Sequence, residues 1–71
     1  MEVLIFRTDI SGSNGLNLLK SLFNRMWQVK DWSVDLEDSD RVLRIESVHL
    51  SVDRVEDMVC DLGISCHELG D

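Results

Sequence analysis

The sequence predicts an α+β sandwich in which a four-stranded antiparallel sheet carries two helices on one face. Three observations lead to this fold class. Apolar residues alternate with polar ones in some stretches, recur at steps of three and four in others, and are separated by glycine or short polar residues. With 71 residues, the chain can form one domain around one small core. We therefore expect residues 1–71 to be a single domain.

The first strand and the first helix are predicted on either side of a glycine-containing turn. Residues 3–10 are rich in branched and aromatic side chains and end at the turn 11–15. From there the apolar period becomes that of a helix, which we expect to end near Trp27. Ser13 or Asn14 is the expected N-cap, because a short side-chain oxygen accepts hydrogen bonds from first-turn amides. The apolar face of this helix comprises Leu19, Leu22, Phe23 and Met26.

The middle of the chain predicts a β-hairpin. Apolar and polar residues alternate over residues 32–37 and again around Leu43 and Ile45, on either side of the acidic segment 38–40. A period of two is typical of strands with one buried face. The hairpin therefore supplies the second and third strands of the sheet.

A second helix and a short last strand complete the chain. Ser51 is the expected N-cap of this helix, and Gly63 is expected to end it as a C′ residue. Residues 64–69 are short enough to be a final strand. The apolar stripe of the helix comprises Val52, Val55, Val59 and Leu62.

The order strand, helix, strand, strand, helix, strand predicts a specific topology. Two right-handed crossovers place both helices on one face of the sheet, which is the ferredoxin-like βαββαβ sandwich. The first and third strands are central, and the second and fourth lie at the edges. The uncovered side, which we call the open sheet face, is expected to present Val3, Ile5, Arg7, Val42, Arg44 and Glu46.

Three segments of the chain match the motifs of a known family. Residues 32–37 are similar to a strand of the form V-x-V-D-L-E, and residues 59–66 to the pattern I-x-x-x-G-Y-x-V. A loop of the form M-x-C-x-x-C corresponds here to Ile10-Ser11-Gly12-Ser13-Asn14-Gly15. In these motifs, over nearly its whole length, the chain resembles the heavy-metal-associated domain of copper chaperones and metal-pumping ATPases. The resemblance implies the same ferredoxin-like fold.

The chain departs from this family at both metal-binding positions of the loop. The family holds a soft ion between two thiolates near a helix N-terminus, which stabilises negative sulfur. Gly12 and Gly15 occupy the two thiol positions and offer no ligand. Ile10, in place of the methionine, is a volume-conserving core replacement. We therefore expect a degenerate loop that binds no metal in the family's manner, and no cofactor.

The remaining soft ligands are not arranged in a recognisable site. Cys66 and His67 are neighbours on a predicted strand, so their side chains should point to opposite faces. Cys66 takes a core position, and Cys60 lies on the second helix. A copper or zinc site that uses Cys60, Cys66 and His67 remains an alternative. No nucleophile lies in a catalytic motif, so we expect no enzyme.

The charge and hydropathy of the chain restrict its partners. Fourteen acidic residues against seven basic ones give a net charge of −7, which repels nucleic-acid phosphates. No apolar run approaches the roughly 18 residues that a membrane span needs. Met1 leads directly into Glu2 without a secretory signal, and two cysteines are too few for a disulfide framework. We expect a cytoplasmic protein that binds neither nucleic acid nor membrane.

The open sheet face supports the prediction of function. Val3, Ile5 and Val42 form an apolar cluster beside Arg7 and Arg44, which is typical of a protein interface. The opposing interpretation is that a thin domain always leaves some apolar surface exposed. The sequence thus predicts a non-catalytic module that binds a protein partner or itself. A small-ligand regulatory module is a further alternative, and the sequence does not identify any partner.

Overall fold

The computed structural model, which describes residues 1–69, consists of one four-stranded antiparallel sheet and two helices. The strand order across the sheet is β2-β3-β1-β4. The predicted ferredoxin-like α+β sandwich is confirmed. Its elements are β1 (Glu2–Thr8), α1 (Ser13–Phe23), β2 (Val29–Asp35), β3 (Val42–Ser47), α2 (Val52–Cys60) and β4 (Cys66–Glu68).

The register of the sheet separates a covered face from an open one. In the central pair β1 and β3, Leu4 lies opposite Ile45 and Ile5 lies opposite Arg44. Because side chains alternate along a strand, the first pair points toward the helices and the second away from them. At the outer edge, Thr8 of β1 pairs with Cys66 of β4. The core therefore lies between the covered face of the sheet and the two helices.

Side chains from both helices and all four strands pack in this core. The ring of Phe23 at the end of α1 contacts that of Trp32 in β2 edge-on, at a centroid distance of 5.3 Å. Trp27, by contrast, lies outside the core and is 65% exposed. The buried apolar residues are Leu4, Phe6, Ile10, Leu19, Phe23, Leu43, Ile45, Leu50, Val55, Val59, Ile64 and Cys66.

Both predicted ends of α1 are wrong. Ser13 lies inside the helix, and Gly12 is the N-cap residue, with no side-chain hydrogen bond to the first turn. The expected side-chain cap is therefore absent at Ser13 and Asn14. At the other end, the helix stops at Phe23 and a turn follows, in which the amide of Met26 donates to the carbonyl of Phe23 at 3.1 Å. The turn keeps Met26 against the core, so the apolar spacing continues beyond the helix.

The predicted ends of α2 agree with the structure better. The Oγ atom of Ser51 accepts a hydrogen bond from the amide of Arg54 at 3.2 Å, which confirms Ser51 as the N-cap. Gly63 follows two residues after the C-cap, with a φ of 85° that favours glycine. Strand β4 is shorter than expected because the amide of Ser65 donates to the carboxylate of Asp9, at 2.9 Å, instead of to a strand.

Candidate functional site

The loop 10–15, which joins β1 to α1, has no side chain at the family's two ligand positions. Gly12 has a φ of 97°, a conformation that residues with a side chain rarely adopt. A Cβ atom at Gly15 would lie 3.0 Å from Cγ2 of the buried Ile10, closer than carbon atoms normally pack. A side chain at position 15 would therefore press against the branched side chain of Ile10.

Hydrogen bonds tie this loop to the β2–β3 hairpin. The Oγ1 atom of Thr8 donates to the carbonyl of Arg41 at 2.6 Å, and the amide of Thr8 donates to the carbonyl of Asp40 at 3.0 Å. The guanidinium of Arg41 donates in turn to the carbonyl of Ile10 at 3.4 Å. A cationic side chain at the base of the loop opposes a bound metal cation. The loop does not fit Cu(I), because it lacks ligands and carries a positive charge beside it.

The structure places Cys60 next to Cys66 but directs His67 away from both. The side chain of Cys66 is fully buried in the core, whereas that of Cys60 is exposed on α2. The Sγ atom of Cys60 lies 3.9 Å from the backbone carbonyl of Cys66. His67 pairs with Arg7, so its side chain points to the open sheet face, away from the core. Within residues 1–69, no three histidine, cysteine or acidic side chains are arranged to hold a metal ion.

The Cys66 thiol is poorly suited to bind metal. Burial, the neighbouring thiol of Cys60 and the carboxylate of Glu56 together raise the pKa of Cys66 to about 12. Metal ions bind the thiolate, and a thiol with this pKa stays protonated at neutral pH. Cys66 thus acts as a small apolar core residue.

The open sheet face contains all the apolar and basic residues that the sequence placed there. Val3 is 48% exposed, and Ile5 and Val42 are half-buried. Arg7 is exposed, and the Nη1 atom of Arg44 forms an ion pair with Oε2 of Glu46 at 2.8 Å. These side chains share one face because they alternate with the buried residues of β1 and β3.

The structure adds residues to this face that the sequence analysis did not identify. The amide of Leu69 donates to the carbonyl of Ile5 at 3.0 Å, which places Leu69 beside the apolar cluster. Strand β2 contributes Asp31 and Asp35, since they pair with Glu46 and Val42. The alternation of apolar and polar residues along β2 indicates that the two acids point away from the core. It does not show which strand lies beside β2.

Charges of opposite sign lie toward opposite edges of the open sheet face. Asp31 and Asp35 belong to β2, which forms one edge of the sheet. Arg7 and His67 form a cross-strand pair between β1 and β4 at the other edge. The apolar residues Val3, Ile5 and Val42 lie between the two edges, together with the Arg44–Glu46 ion pair of β3. The face therefore has acidic residues at one edge, a mixed centre that includes one ion pair, and Arg7 toward the other edge.

No protein-family model matches the sequence, and no curated protein matches it. Among residues 1–69, neither helix has the length and apolar character needed to cross a bilayer.

Two solved structures resemble this chain along its whole length. One is the yeast copper transporter domain Ccc2a, determined in apo and Cu(I)-loaded states, with a TM-score of 0.83. The other is the Atx1–Cu(I)–Ccc2a complex, with a TM-score of 0.85. In each case the sequence identity is 15%, and the match covers 100% of this chain and 99% of the other. The chain therefore has the ferredoxin-like fold of a copper transporter domain.

Proposed function

We propose that this chain is a non-catalytic association module whose open sheet face binds a second copy of the same chain. The observation that supports this function is the distribution of side chains on that face. Its central strands combine the apolar Val3 and Ile5 with the Arg44–Glu46 ion pair, the edge strand β2 carries Asp31 and Asp35, and Arg7 lies toward the other edge. A surface of this kind is complementary to itself.

The charges favour one of two symmetric arrangements. A two-fold axis parallel to the strands stacks β2 of one copy over β4 of the other. Asp35 of one copy then faces Arg7 and His67 of the other, because the register places these residues at the same level along the strands. An axis perpendicular to the strands would stack β2 over β2 and place acid against acid, which costs free energy. The two copies therefore pair about a two-fold axis that runs parallel to their strands.

The comparisons support protein binding by a domain of this fold. One of the similar structures contains Ccc2a in a complex with Atx1 and Cu(I). The present chain has glycine at both thiol positions of the loop, so its association does not depend on a metal held there. Repulsion between two chains of net charge −7 opposes pairing, and salt near physiological strength, with a Debye length of about 8 Å, reduces this repulsion.

Sedimentation equilibrium across a wide concentration range tests this function. We expect the wild-type chain to form a dimer and Val3→Lys to remain monomeric, because a lysine ammonium at the centre of the interface would be buried without a partner. Leu18→Lys is the matched control, since Leu18 is 42% exposed on α1 and Val3 is 48% exposed on the open sheet face. A wild-type monomer at all concentrations would contradict self-association.

A charge exchange tests the arrangement of the two copies. Arg7→Asp is expected to weaken the dimer, because it places two acidic edges against each other. Adding Asp35→Arg to the same chain should restore dimerisation, since the two signs are then exchanged on both sides. If the double variant is as monomeric as Arg7→Asp, the axis does not run parallel to the strands.

Two alternative functions have their own tests. The copper named in the similar structures favours copper handling, here through Cys60, Cys66 and His67. Competitive titration with Cu(I) or zinc supports it if affinity falls in Cys60→Ser or Cys66→Ser, and the absence of binding excludes it. A small-ligand regulatory module would show a thermal shift in a ligand screen, and the absence of any response would count against it.

A further inference from the structure

Cys60 and Cys66 form a thiol pair at the turn that joins α2 to β4. Cys60 is the last residue of α2, Cys66 is the first residue of β4, and residues 61–65 reverse the chain between them. Gly63 has a φ of 85° in this turn, and its amide donates to the carbonyl of Cys60 at 2.9 Å. The Sγ atom of Cys60 lies 3.9 Å from the backbone carbonyl oxygen of Cys66. The turn therefore holds one thiol against the backbone of the other cysteine.

The side chain of Cys66 points toward the layer that contains α2. Cys66 lies opposite Thr8 in the pairing of β1 with β4, and both residues are buried on the covered face of the sheet. Cys60 also contributes to the raised pKa of Cys66, which is a second sign that the two thiols are close. One turn thus brings together an exposed thiol and a buried one.

We propose that Cys60 and Cys66 are a redox-active pair, which a low-molecular-weight disulfide such as glutathione disulfide oxidises to an intramolecular disulfide. In the first step, Cys60 loses its proton and attacks one sulfur of glutathione disulfide. The S–S bond of glutathione disulfide breaks, a mixed disulfide forms at Cys60, and the departing glutathione thiolate takes up the proton.

The second step closes the bond within the chain. Cys66 loses its proton and attacks the Cys60 sulfur of the mixed disulfide, and the second glutathione leaves as a thiolate that takes up this proton. The two cysteines together lose two electrons and two protons. One glutathione disulfide gains them and becomes two glutathione thiols, so no further oxidant is needed.

The two thiols are suited to different steps. Cys60 is exposed, so a dissolved disulfide can reach it. Burial is the main cause that raises the pKa of Cys66 to about 12, and it remains after Cys60 has reacted. The contribution of Cys60 to this pKa ends when its sulfur enters the mixed disulfide, which carries no charge. We therefore expect the second step to be slower than the first, so that the mixed disulfide accumulates transiently.

Strand β4 allows the buried thiol to react. It is an edge strand of three residues beside β1. A short edge strand opens locally at a lower free-energy cost than global unfolding requires. The tether of residues 61–65 gives Cys66 a high effective concentration at the Cys60 sulfur. A rare opening is therefore sufficient for the internal step, although it exposes Cys66 little to dissolved reagents.

Incubation with glutathione disulfide, followed by intact-mass spectrometry, tests the pair. In the wild-type chain, we expect a species with one glutathione to appear first. A species two hydrogen atoms lighter than the reduced chain should then replace it. Cys66→Ala should retain glutathione on Cys60, because no second thiol displaces it. Cys60→Ala should react at least about tenfold more slowly than the wild-type chain, since only the buried thiol remains.

Two measurements keep this test independent of folding defects in the variants. Circular dichroism checks the fold of Cys60→Ala and Cys66→Ala. Peptide mapping of the oxidised wild-type chain locates the disulfide without any substitution, and we expect it to join Cys60 to Cys66. Dithiothreitol should return the oxidised wild-type chain to its reduced mass.

Three results would overturn the proposal. The first is a wild-type chain that does not react with glutathione disulfide. The second is a wild-type chain that keeps glutathione on Cys60 as long as Cys66→Ala does, since Cys66 then does not reach the mixed disulfide. The third is a product in which Cys60 joins two chains. None of these results bears on dimerisation through the open sheet face, which sedimentation of the reduced chain decides separately.

Discussion

Gly15 and Ile10 form a matched pair at the scale of single residues. A Cβ atom at position 15 would lie 3.0 Å from the γ2 methyl carbon of Ile10, so one of the two side chains would have to shift by a few tenths of an ångström. The packing of Ile10 therefore disfavours a side chain at position 15.

This pair is testable by a double-mutant cycle. Gly15→Ala gains about 1 kcal/mol of helix propensity, but we expect it to destabilise the wild-type chain because the new methyl group overlaps with Ile10. In the Ile10→Leu background the overlap disappears, and Gly15→Ala should be neutral or stabilising. Chemical denaturation of the four chains should give a coupling free energy on the order of 1 kcal/mol. Additive effects would show that Ile10 does not restrict position 15.

Cys66 provides a second prediction at this scale. Its pKa rises from 9.0 to about 12 on folding, so above pH 9 the unfolded chain loses a proton that the folded chain retains. The contribution of Cys66 to the free energy of unfolding is therefore fully present below pH 9. The free energy of unfolding should fall by on the order of 1 kcal/mol per pH unit as the pH rises from 9 to 12. Denaturant titrations at several pH values measure this slope.

Two controls accompany the pH prediction. Cys66→Ala should remove most of the slope, because the alanine does not titrate. In the folded wild-type chain, an alkylating reagent should modify the exposed Cys60 and leave the buried Cys66 unmodified until the chain unfolds. Equal alkylation of both cysteines in the folded state would show that Cys66 is not buried as described.

At the scale of elements, the two helices begin in different ways. Ser51 caps α2 through its side chain, whereas α1 begins after Gly12 without a side-chain cap. The sequence does not reveal this difference, because a serine or asparagine that could serve as a cap stands near the start of each helix. The backbone conformation of Gly12 determines where α1 begins. Its φ of 97° and ψ of −169° direct the chain into the helix, so that Ser13 already belongs to the first turn.

Paired substitutions test this difference. Ser51→Ala should lower the free energy of unfolding by about 1 kcal/mol, because the amide of Arg54 loses its acceptor. Ser13→Ala should leave stability nearly unchanged, as its side chain makes no capping hydrogen bond. Thermal or chemical unfolding of both variants measures the two values. Equal losses at the two positions would contradict the assignment of the caps.

Periodicity predicted the elements better than it predicted their ends. Met26 follows the helical spacing of α1, yet it lies in a turn after Phe23 that keeps its side chain on the core. The spacing therefore reports which residues are buried, and it does not report the hydrogen bonds that define the helix. The end of a helix depends on competing turns, which are weakly encoded in the apolar pattern.

At the scale of the whole molecule, the two faces of the sheet and its two ends differ in character. One face is buried under the helices, and the other carries the apolar and charged side chains that we propose to mediate pairing. One end carries the glycine loop tied down by Arg41, and the other carries a cavity lined by Met26, His49 and Met58.

The sequence by itself determined the fold class, most of the buried residues and the absence of ligands from the loop 10–15. These properties follow from spacing and side-chain chemistry, which are local and can be read along the chain. The tertiary structure alone decided that Leu69 lies beside Ile5, that a side chain at position 15 would press against Ile10, and which residues line the cavity. Such contacts join separate segments, and they depend on strand register and helix packing, which spacing along a single chain does not specify.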